Sequence, residues 1–222
     1  NNYEIINNLT LQAKNDGAEV IIWPEAVSSY QNFQARTEFA DIDIIGGFFV
    51  QQDEKIFTSI INTSTNDRYD KRNLVPFGEF QPFDNLLKNF NEFFNIPNSS
   101  LTRGEKKQKK VLIQQIPFSG LICWELSFND TFVDRTRDTA FIIHISNDSW
   151  YGKNMPEQHL LHAKARAIES QKWVVRSTTD GISDIISPYN QKKLSENIPK
   201  GIKSFKTETI STNMKNTPYL IF

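Results

Sequence analysis

Two hydrophobic patterns alternate along this chain, and each predicts a different kind of element. Short apolar runs bounded by glycine, proline or polar residues predict buried strands, and apolar positions spaced three to four residues apart predict amphipathic helices. The predicted strands are Val20–Trp23, Ile42–Val50, Phe57–Thr63, Val111–Ile116, the run that ends at Cys123, Ala140–Ile145, Trp173–Ser177 and Ser183–Ser187. The predicted helices are Ile5–Lys14, Phe83–Phe94 and Pro156–Ser170. Strands that alternate with helices, often in pairs, predict an α/β fold.

The polar stretches between these runs predict turns and loops. Ser64–Asp67 predicts a hairpin turn, and the pair Gly46-Gly47 predicts an interruption of its strand. Tyr69–Pro82 has no sustained period, so we expect it to be irregular, and Ser146–Asp148 predicts a polar turn. The charged stretch Arg103–Lys110 predicts a solvated loop. The residues beyond Asn190 alternate only weakly through Ile202 and Phe205, and we expect them to be peripheral.

Composition narrows the class of protein. A chain of 222 residues is long enough for one domain with a large core, and we assign residues 1–222 to a single domain. The formal net charge of -1 predicts no broad attraction to nucleic acid, and one cysteine excludes an internal disulfide. The sequence contains neither a signal peptide nor an apolar run long enough to span a bilayer. Because the first residue is not Met and the last four are apolar or aromatic, we expect a piece of a longer protein.

The cysteine is the first candidate for chemistry. Cys123 ends an apolar run, so it lies at the carboxyl end of a strand, where chemistry gathers in α/β sheets. Glu25, which follows Trp23-Pro24, and the turn at Ser146–Asp148 occupy equivalent positions. The alternative is that Cys123 is a small buried hydrophobic residue, which is the common state of a free cysteine.

A nucleophilic cysteine needs a base for its proton and a donor for the oxyanion that forms when it attacks a carbonyl. The three histidines, His144, His159 and His162, show no convincing spacing for a base or for a metal site. A carboxylate can serve as base if burial raises its pKa, and a lysine can stabilise the oxyanion. Glu25 and Lys71 are the candidates for these two roles.

The contexts of these three residues resemble those of the Glu-Lys-Cys triad in the nitrilase (carbon-nitrogen hydrolase) superfamily. Within it the sequence is most similar to the apolipoprotein N-acyltransferase family. The matching motifs are Trp23-Pro24-Glu25, the run from Asp70 to Phe80 around Lys71, Ile122-Cys123-Trp124-Glu125, Ile145–Gly152, Gln158-His159, Ala165–Glu169, Asp180–Ser183 and Thr217-Pro218-Tyr219. The family usually has His, Tyr and Tyr where Asn73, Phe80 and Trp124 stand. None of these departures removes a catalytic group.

The resemblance implies a nitrilase-like α-β-β-α sandwich and a two-step acyl transfer. Glu25 would act as base, Cys123 as nucleophile, and Lys71 with backbone N–H groups near Trp124 would hold the oxyanion. Glu79 would orient Lys71, and Glu125 would support the site. By the same resemblance Phe77, Trp124 and Trp150 would bind substrate, and neither cofactor nor metal is expected. The partners would be a phospholipid acyl donor and an apolipoprotein acceptor, with the domain facing the periplasm at a bacterial inner membrane.

Two alternatives remain open at this point. The resemblance implies a first strand before Asn1 and flanking membrane helices that this sequence lacks, so a non-catalytic remnant that binds lipid or a partner is one alternative. The other is a soluble amidase or nitrile hydrolase that uses the same triad. The helix Phe83–Phe94 could be a lid that touches a bilayer or an ordinary amphipathic helix packed on the core.

Overall fold

Two five-stranded sheets face each other across a shared apolar core in the computed structural model of the chain. The structure describes residues 2–34, 39, 42–80, 101–150, 152, 154–189 and 196–221. The predicted helix Phe83–Phe94 lies outside the described residues. Within the described part of the chain, no helix combines the length and apolar character needed to cross a bilayer.

The first sheet is mixed. Its strands are β1 (Val20–Ile22), β2 (Ser28–Ser29), β3 (Asp43–Gln52), β4 (Lys55–Asn62) and β5 (Arg68–Asp70), with the order β1-β3-β4-β5 and β2 also paired to β3. β1 and β3 are parallel, whereas β3, β4 and β5 form an antiparallel meander. The helices α1 (Asn2–Asn15) and α2 (Tyr30–Gln34) belong to this half of the chain.

The second sheet has a parallel centre. Its strands are β6 (Val111–Ile113), β7 (Ile116–Ile122), β8 (Phe141–Asn147), β9 (Val174–Thr179) and β10 (Asp184–Ile186), in the order β10-β9-β8-β7-β6. β7, β8 and β9 run parallel, so their carboxyl ends meet at one edge. The accompanying helices are α3 (Asn129–Thr136), α4 (Met155–Ser170) and the short α5 (Pro218–Ile221).

The core follows from the alternation of side chains along each strand. Ile143 and Ile145 of β8 point to the other sheet and pack in a cluster with Ile45 and Ile60. Ile142 points the opposite way and packs with residues of α3 and α4. A third cluster, centred on Trp23, lies on the first sheet and includes Phe33 of α2. Helix, sheet, sheet and helix therefore form successive layers, which confirms the predicted α/β class and sandwich.

Most predicted elements are confirmed, including the helices Ile5–Lys14 and Pro156–Ser170, the hairpin turn at Ser64–Asp67 and the charged loop. The prediction of a single strand over Val111–Ile116 was wrong, because Gln114 and Gln115 adopt φ values of 49° and 68°. Two consecutive left-handed residues make the tight turn that joins β6 to β7 as a hairpin.

Four other predictions were wrong in detail. Gly46-Gly47 does not interrupt its strand, and the segment predicted as irregular begins with residues of β5. Ser146 and Asn147 belong to β8, because parallel pairing with Thr178 and Thr179 extends the strand beyond its apolar run. The C-terminal part is not wholly peripheral, since Leu220 is fully buried against the second sheet's helices.

Candidate active site

Cys123 occupies a strained turn between a strand and a helix. It follows β7 directly and begins a 3-10 helix, Cys123–Ser127, that leads into α3. Its φ is 56°, in the left-handed region that residues with a side chain rarely adopt. The residue is buried, with 3% of its surface exposed. A nucleophile on such a turn has its backbone direction set by the surrounding structure rather than by its own preference.

Glu25 is held rigidly just beyond β1. Pro24 keeps Trp23 extended, and the buried Trp23 indole N–H donates to the Thr10 hydroxyl at 2.9 Å. Gly47 lets the neighbouring strand approach, because a Cβ there would lie 2.5 Å from the Pro24 carbonyl oxygen and 2.6 Å from the Cα of Glu25. The Asn147 backbone N–H donates to Glu25 Oε2 at 2.8 Å. Residues from both sheets therefore fix this carboxylate.

Lys71 lies between two carboxylates. Its Nζ is 2.9 Å from Glu25 Oε1 and 2.6 Å from Glu79 Oε1, and its side chain is fully buried. The second Glu79 oxygen accepts from the Val75 N–H at 2.8 Å, which fixes Glu79 in the same loop as the lysine. The geometry fits the predicted role of Glu79 in orienting Lys71.

The electrostatics of this cluster suit proton transfer. Burial raises the pKa of Glu25 above its usual 4.5, and the nearby Lys71 offsets only part of that effect. Burial tends to lower the pKa of Lys71, but the negative charges that Glu25, Cys123 and Glu79 can carry together raise it, so the lysine stays charged. Because Cys123 influences the pKa of Lys71, the two side chains are within electrostatic range of each other. The site thus combines a carboxylate with raised basicity, a fixed cation and a buried thiol.

Glu125 joins the lysine loop to the cysteine turn. Its carboxylate is fully buried and accepts hydrogen bonds from donors on both segments. The donors are the Arg72 N–H at 2.6 Å, the Asn73 N–H at 3.0 Å, the Ile122 N–H at 3.0 Å and the Tyr69 hydroxyl at 3.0 Å. Burial raises the pKa of Glu125, although the backbone donors act against that rise. The side chain is a structural link rather than a solvated carboxylate.

The three residues predicted to bind substrate have different surroundings. Phe77 is 75% exposed and has a φ of 62°, so its ring is presented to solvent from a strained loop position. Trp124 is half-buried, and its indole N–H donates to the Asn73 carbonyl at 2.8 Å while its ring packs edge-on against Phe128. The backbone of Trp150 ends the 3-10 helix Asp148–Trp150, and its side chain lies outside the described residues.

A network of buried polar groups behind Cys123 was missed in the sequence. His144 Nε2 is 2.8 Å from the Cys123 carbonyl oxygen, and Arg176 NH1 is 2.7 Å from His144 Nδ1. Asp148 accepts from Arg176 at 2.7 Å and lies 2.9 Å from His159 Nδ1. The available signal was polar residues at alternate positions within apolar strands. His159 is buried, whereas the exposed His162 places its Nδ1 2.9 Å from the Ser127 hydroxyl oxygen.

An open depression of about 470 Å³ lies beside the lysine loop rather than at the cluster of Glu25, Lys71 and Cys123. It is lined by Arg72, Asn73, Lys106 and residues 127–131. The hydrogen bonds and charges around Cys123 have a more direct bearing on chemistry than the size of this depression, so we place the candidate active site at the cluster.

Fold and site together define an α/β sandwich whose carboxylate, ammonium and thiol meet at the carboxyl ends of strands from both sheets. The family model described as carbon-nitrogen hydrolase matches residues 1–192, and the chain belongs to this family. The fold is also similar to that of solved structures. One is a mutant of the amidase from Nesterenkonia sp. AN1 with acrylamide added at the active site cysteine (TM-score 0.57, 15% identity, 84% of this chain and 79% of that chain). Another is the C. elegans NitFhit protein (TM-score 0.59, 16% identity, 84% and 52%).

The curated relatives point to a particular branch of this family. The apolipoprotein N-acyltransferase of Vibrio cholerae is 30% identical over 240 residues, which cover 98% of this chain and 47% of the relative. That of Pasteurella multocida is 33% identical over 226 residues, covering 92% of this chain and 43% of the relative. The chain therefore spans about half the length of the curated relatives it matches.

Proposed function

We propose that this chain is the catalytic domain, residues 1–222, of an apolipoprotein N-acyltransferase. The observation that carries the proposal is the Lys71 ammonium 2.9 Å from Glu25, with Cys123 in the same buried cluster. The similarity to apolipoprotein N-acyltransferases over 98% of the chain supports the choice of reaction. The core shared by the two sheets supports a single domain.

In the first half-reaction Glu25 takes the thiol proton of Cys123, and the sulfur attacks the ester carbonyl of a phospholipid. Lys71 and backbone N–H groups near Trp124 stabilise the oxyanion. The carbon–oxygen bond breaks, the lysophospholipid leaves with the proton from Glu25, and a thioester remains on Cys123.

In the second half-reaction the α-amino group of a diacylglyceryl-cysteine attacks the thioester. Glu25 takes a proton from this amine, the amide bond forms, and the Cys123 thiolate leaves. It is reprotonated by Glu25, which restores the resting state. The donor is thus a membrane phospholipid and the acceptor a lipoprotein N-terminus, so we propose that the domain works at the periplasmic face of a bacterial inner membrane. The exposed Phe77 is the proposed contact for the acyl chain.

The second candidate is an amidase or nitrile hydrolase with water as the second nucleophile. It is favoured by one specific observation, the match of residues 1–192 to the family model described as carbon-nitrogen hydrolase. The likeness to the amidase from Nesterenkonia sp. AN1, at 15% identity, concerns the fold alone. A non-catalytic remnant is the third candidate, and the close ion pairs of Lys71 with both carboxylates argue against it.

The test is to detect the acyl-enzyme. The chain, expressed as its gene encodes it, is incubated with phospholipid of defined acyl chains in detergent micelles without acceptor, and its intact mass is measured. We expect a mass increase equal to one acyl group, located on Cys123 by peptide mapping and reversed by a diacylglyceryl-cysteine peptide that becomes acylated. Release of ammonia from small amides, with no acyl-enzyme formed from phospholipid, would instead support the hydrolase. Absence of both reactions would support the remnant.

The pH dependence tests the role of Glu25. This carboxylate must be ionised to accept the thiol proton, so activity falls as the pH drops below its pKa. Because burial raises that pKa, we expect the acid midpoint of kcat/KM to lie above pH 4.5, the usual value. The profile is measured from pH 4 to pH 8, with circular dichroism at each pH to exclude unfolding. A midpoint at or below 4.5 in folded protein would contradict the assignment.

A further inference from the structure

The polar network behind Cys123 is built by strand register. In the parallel centre of the second sheet, Leu121 pairs with His144, and His144 pairs with Arg176. His144 and Arg176 therefore lie side by side on the same face. That face is the one packed against α4, because His159 of this helix makes an edge contact with His144 at a ring distance of 6.0 Å. Glu25 lies on the opposite side with its partner Lys71, because a Cβ at Gly47 would be 2.6 Å from both the Cα of Glu25 and Cδ1 of Ile145, which points to the other sheet.

The hydrogen bonds fix the chemical state of His144. An arginine side chain only donates hydrogen bonds, so His144 Nδ1, at 2.7 Å from Arg176 NH1, must be the acceptor. The proton of the neutral ring is then on Nε2, which donates to the Cys123 carbonyl oxygen at 2.8 Å. Burial and the neighbouring arginine both lower the pKa of His144 well below its usual value, which agrees with a neutral ring. Neither ring nitrogen faces the thiol as a base.

Arg176 is itself anchored firmly. Its Nε donates to the Ile182 carbonyl at 3.0 Å, and NH2 donates to Asp148 Oδ2 at 2.7 Å. Asp148 is fully buried and also accepts from the Ser146 hydroxyl at 2.6 Å. Gly181 packs directly on this carboxylate, since a Cβ there would lie 2.3 Å from Asp148 Oδ2. These bonds hold the Arg176 side chain in one position on β9, and its bond to Nδ1 in turn holds the ring of His144.

We propose that His144, fixed by Arg176, is a positioning residue that clamps the Cys123 carbonyl and so keeps the nucleophile in its left-handed conformation. A φ of 56° is disfavoured for cysteine and persists only if the surroundings determine it. The clamp acts from the helix side of the sheet, whereas Glu25 and Lys71 act on the thiol from the other side. Relaxation of the turn would move the thiol away from Lys71 without removing any catalytic group. The inference rests on the proposed role of Cys123 as nucleophile.

Two variants separate the clamp from general packing. In His144→Asn the amide oxygen can take the place of Nδ1 and keep the bond to Arg176, but the side chain is too short to reach the Cys123 carbonyl. In His144→Gln the amide N–H₂ can take the place of Nε2 and keep the donor to Cys123. His162→Asn is the matched control, because His162 is exposed on the same helix-bearing side. Folding of each variant is checked by its thermal transition.

Two readouts are needed, and the second uses the fact that Cys123 is the only cysteine in these 222 residues. Acyl transfer should show kcat lowered at least about tenfold in His144→Asn with KM within about twofold, and kcat within about threefold of wild type in His144→Gln and the control. Alkylation of Cys123 by iodoacetamide is measured from pH 6 to pH 10. At pH 7 it should be at least about tenfold slower than in wild type in His144→Asn, and not in His144→Gln or the control.

The outcomes test the clamp by His144 and, separately, the proposed acyl transfer. Equal kcat and equal alkylation in folded His144→Asn and wild type would overturn the clamp. If His144→Asn does not fold, His144→Gln decides: a folded protein with kcat lowered more than about tenfold would overturn it, and retention of kcat would support it. Alkylation requires no substrate, so a differential effect on alkylation in a protein that transfers no acyl group would support the clamp while refuting the proposed reaction.

Discussion

Replacement of Cys123 by serine is expected to lower acyl transfer at least about 10⁴-fold, to the background of the assay, with the fold unchanged. The substitution alters one atom at a site that is 3% exposed, so packing is nearly conserved. The chemical change is large, because a hydroxyl is far harder to deprotonate than a thiol and Glu25 is too weak a base for it. The measurement is transfer of a labelled acyl chain from phospholipid to a diacylglyceryl-cysteine peptide, together with the intact mass of the protein.

The control for this prediction is a variant in which the thiol is moved from position 123 to position 127. Ser127 lies at the exposed end of the same 3-10 helix, where its hydroxyl contacts His162 at 2.9 Å. Ser127→Cys in the Cys123→Ser background restores a thiol close in sequence but outside the cluster, and we expect no recovery of transfer. Ser127→Cys alone should keep wild-type activity. Transfer by Cys123→Ser at more than one tenth of the wild-type rate would refute Cys123 as the acyl carrier.

Replacement of Glu125 by alanine is expected to lower the free energy of unfolding by at least about 3 kcal/mol and to abolish transfer with it. The carboxylate is the acceptor for backbone N–H groups of Arg72, Asn73 and Ile122 and for the Tyr69 hydroxyl. Each buried donor left without an acceptor costs about 1–3 kcal/mol. We expect a total of about 3 kcal/mol rather than the full sum, because water that enters the space left by the carboxylate can accept from some of these donors. That loss is a large share of the free energy of unfolding of a typical domain. The measurement is unfolding in urea at pH 7.

The isosteric variant separates shape from hydrogen bonding. Glu125→Gln keeps the volume but replaces one acceptor oxygen by an N–H₂ group that faces donors, so its stability should lie between those of the alanine variant and wild type. Glu105→Ala, on the charged loop where the side chain is exposed, serves as the matched control and should change stability by less than about 0.5 kcal/mol. If Glu125→Ala is as stable as the control, Glu125 does not link the two loops.

The pattern of short apolar runs predicted most of the strands, because burial of both faces of a strand imposes such a run locally. It failed where local geometry decided the outcome. Gln114 and Gln115 adopt a left-handed turn that neither side chain favours, since two strands of the same sheet must reverse direction there. β5 has little apolar character and exists because it pairs with β4.

For the candidate site, sequence and structure contributed different parts. Glu25, Lys71 and Cys123 were singled out by residue type, position after strands and resemblance to a family. Their proximity is a tertiary property, since the bond from Lys71 to Glu25 joins residues 46 apart and that from Asn147 to Glu25 joins residues 122 apart. A supporting role was predicted for Glu125, but not its hydrogen bonds to two loops, and the contact of His144 with the Cys123 carbonyl was not predicted at all. Register between parallel strands and burial of polar groups depend on contacts distant in the chain.

The sequence by itself thus determined the α/β class, the order of most elements and the three residues proposed for chemistry, because these depend on local patterning and on residue type. Only the tertiary structure decided which charges face each other, which carboxylate has its pKa raised by burial, and how a cysteine is kept at a φ of 56°. The reason is that desolvation and hydrogen-bond geometry are properties of the assembled sandwich and belong to no single segment.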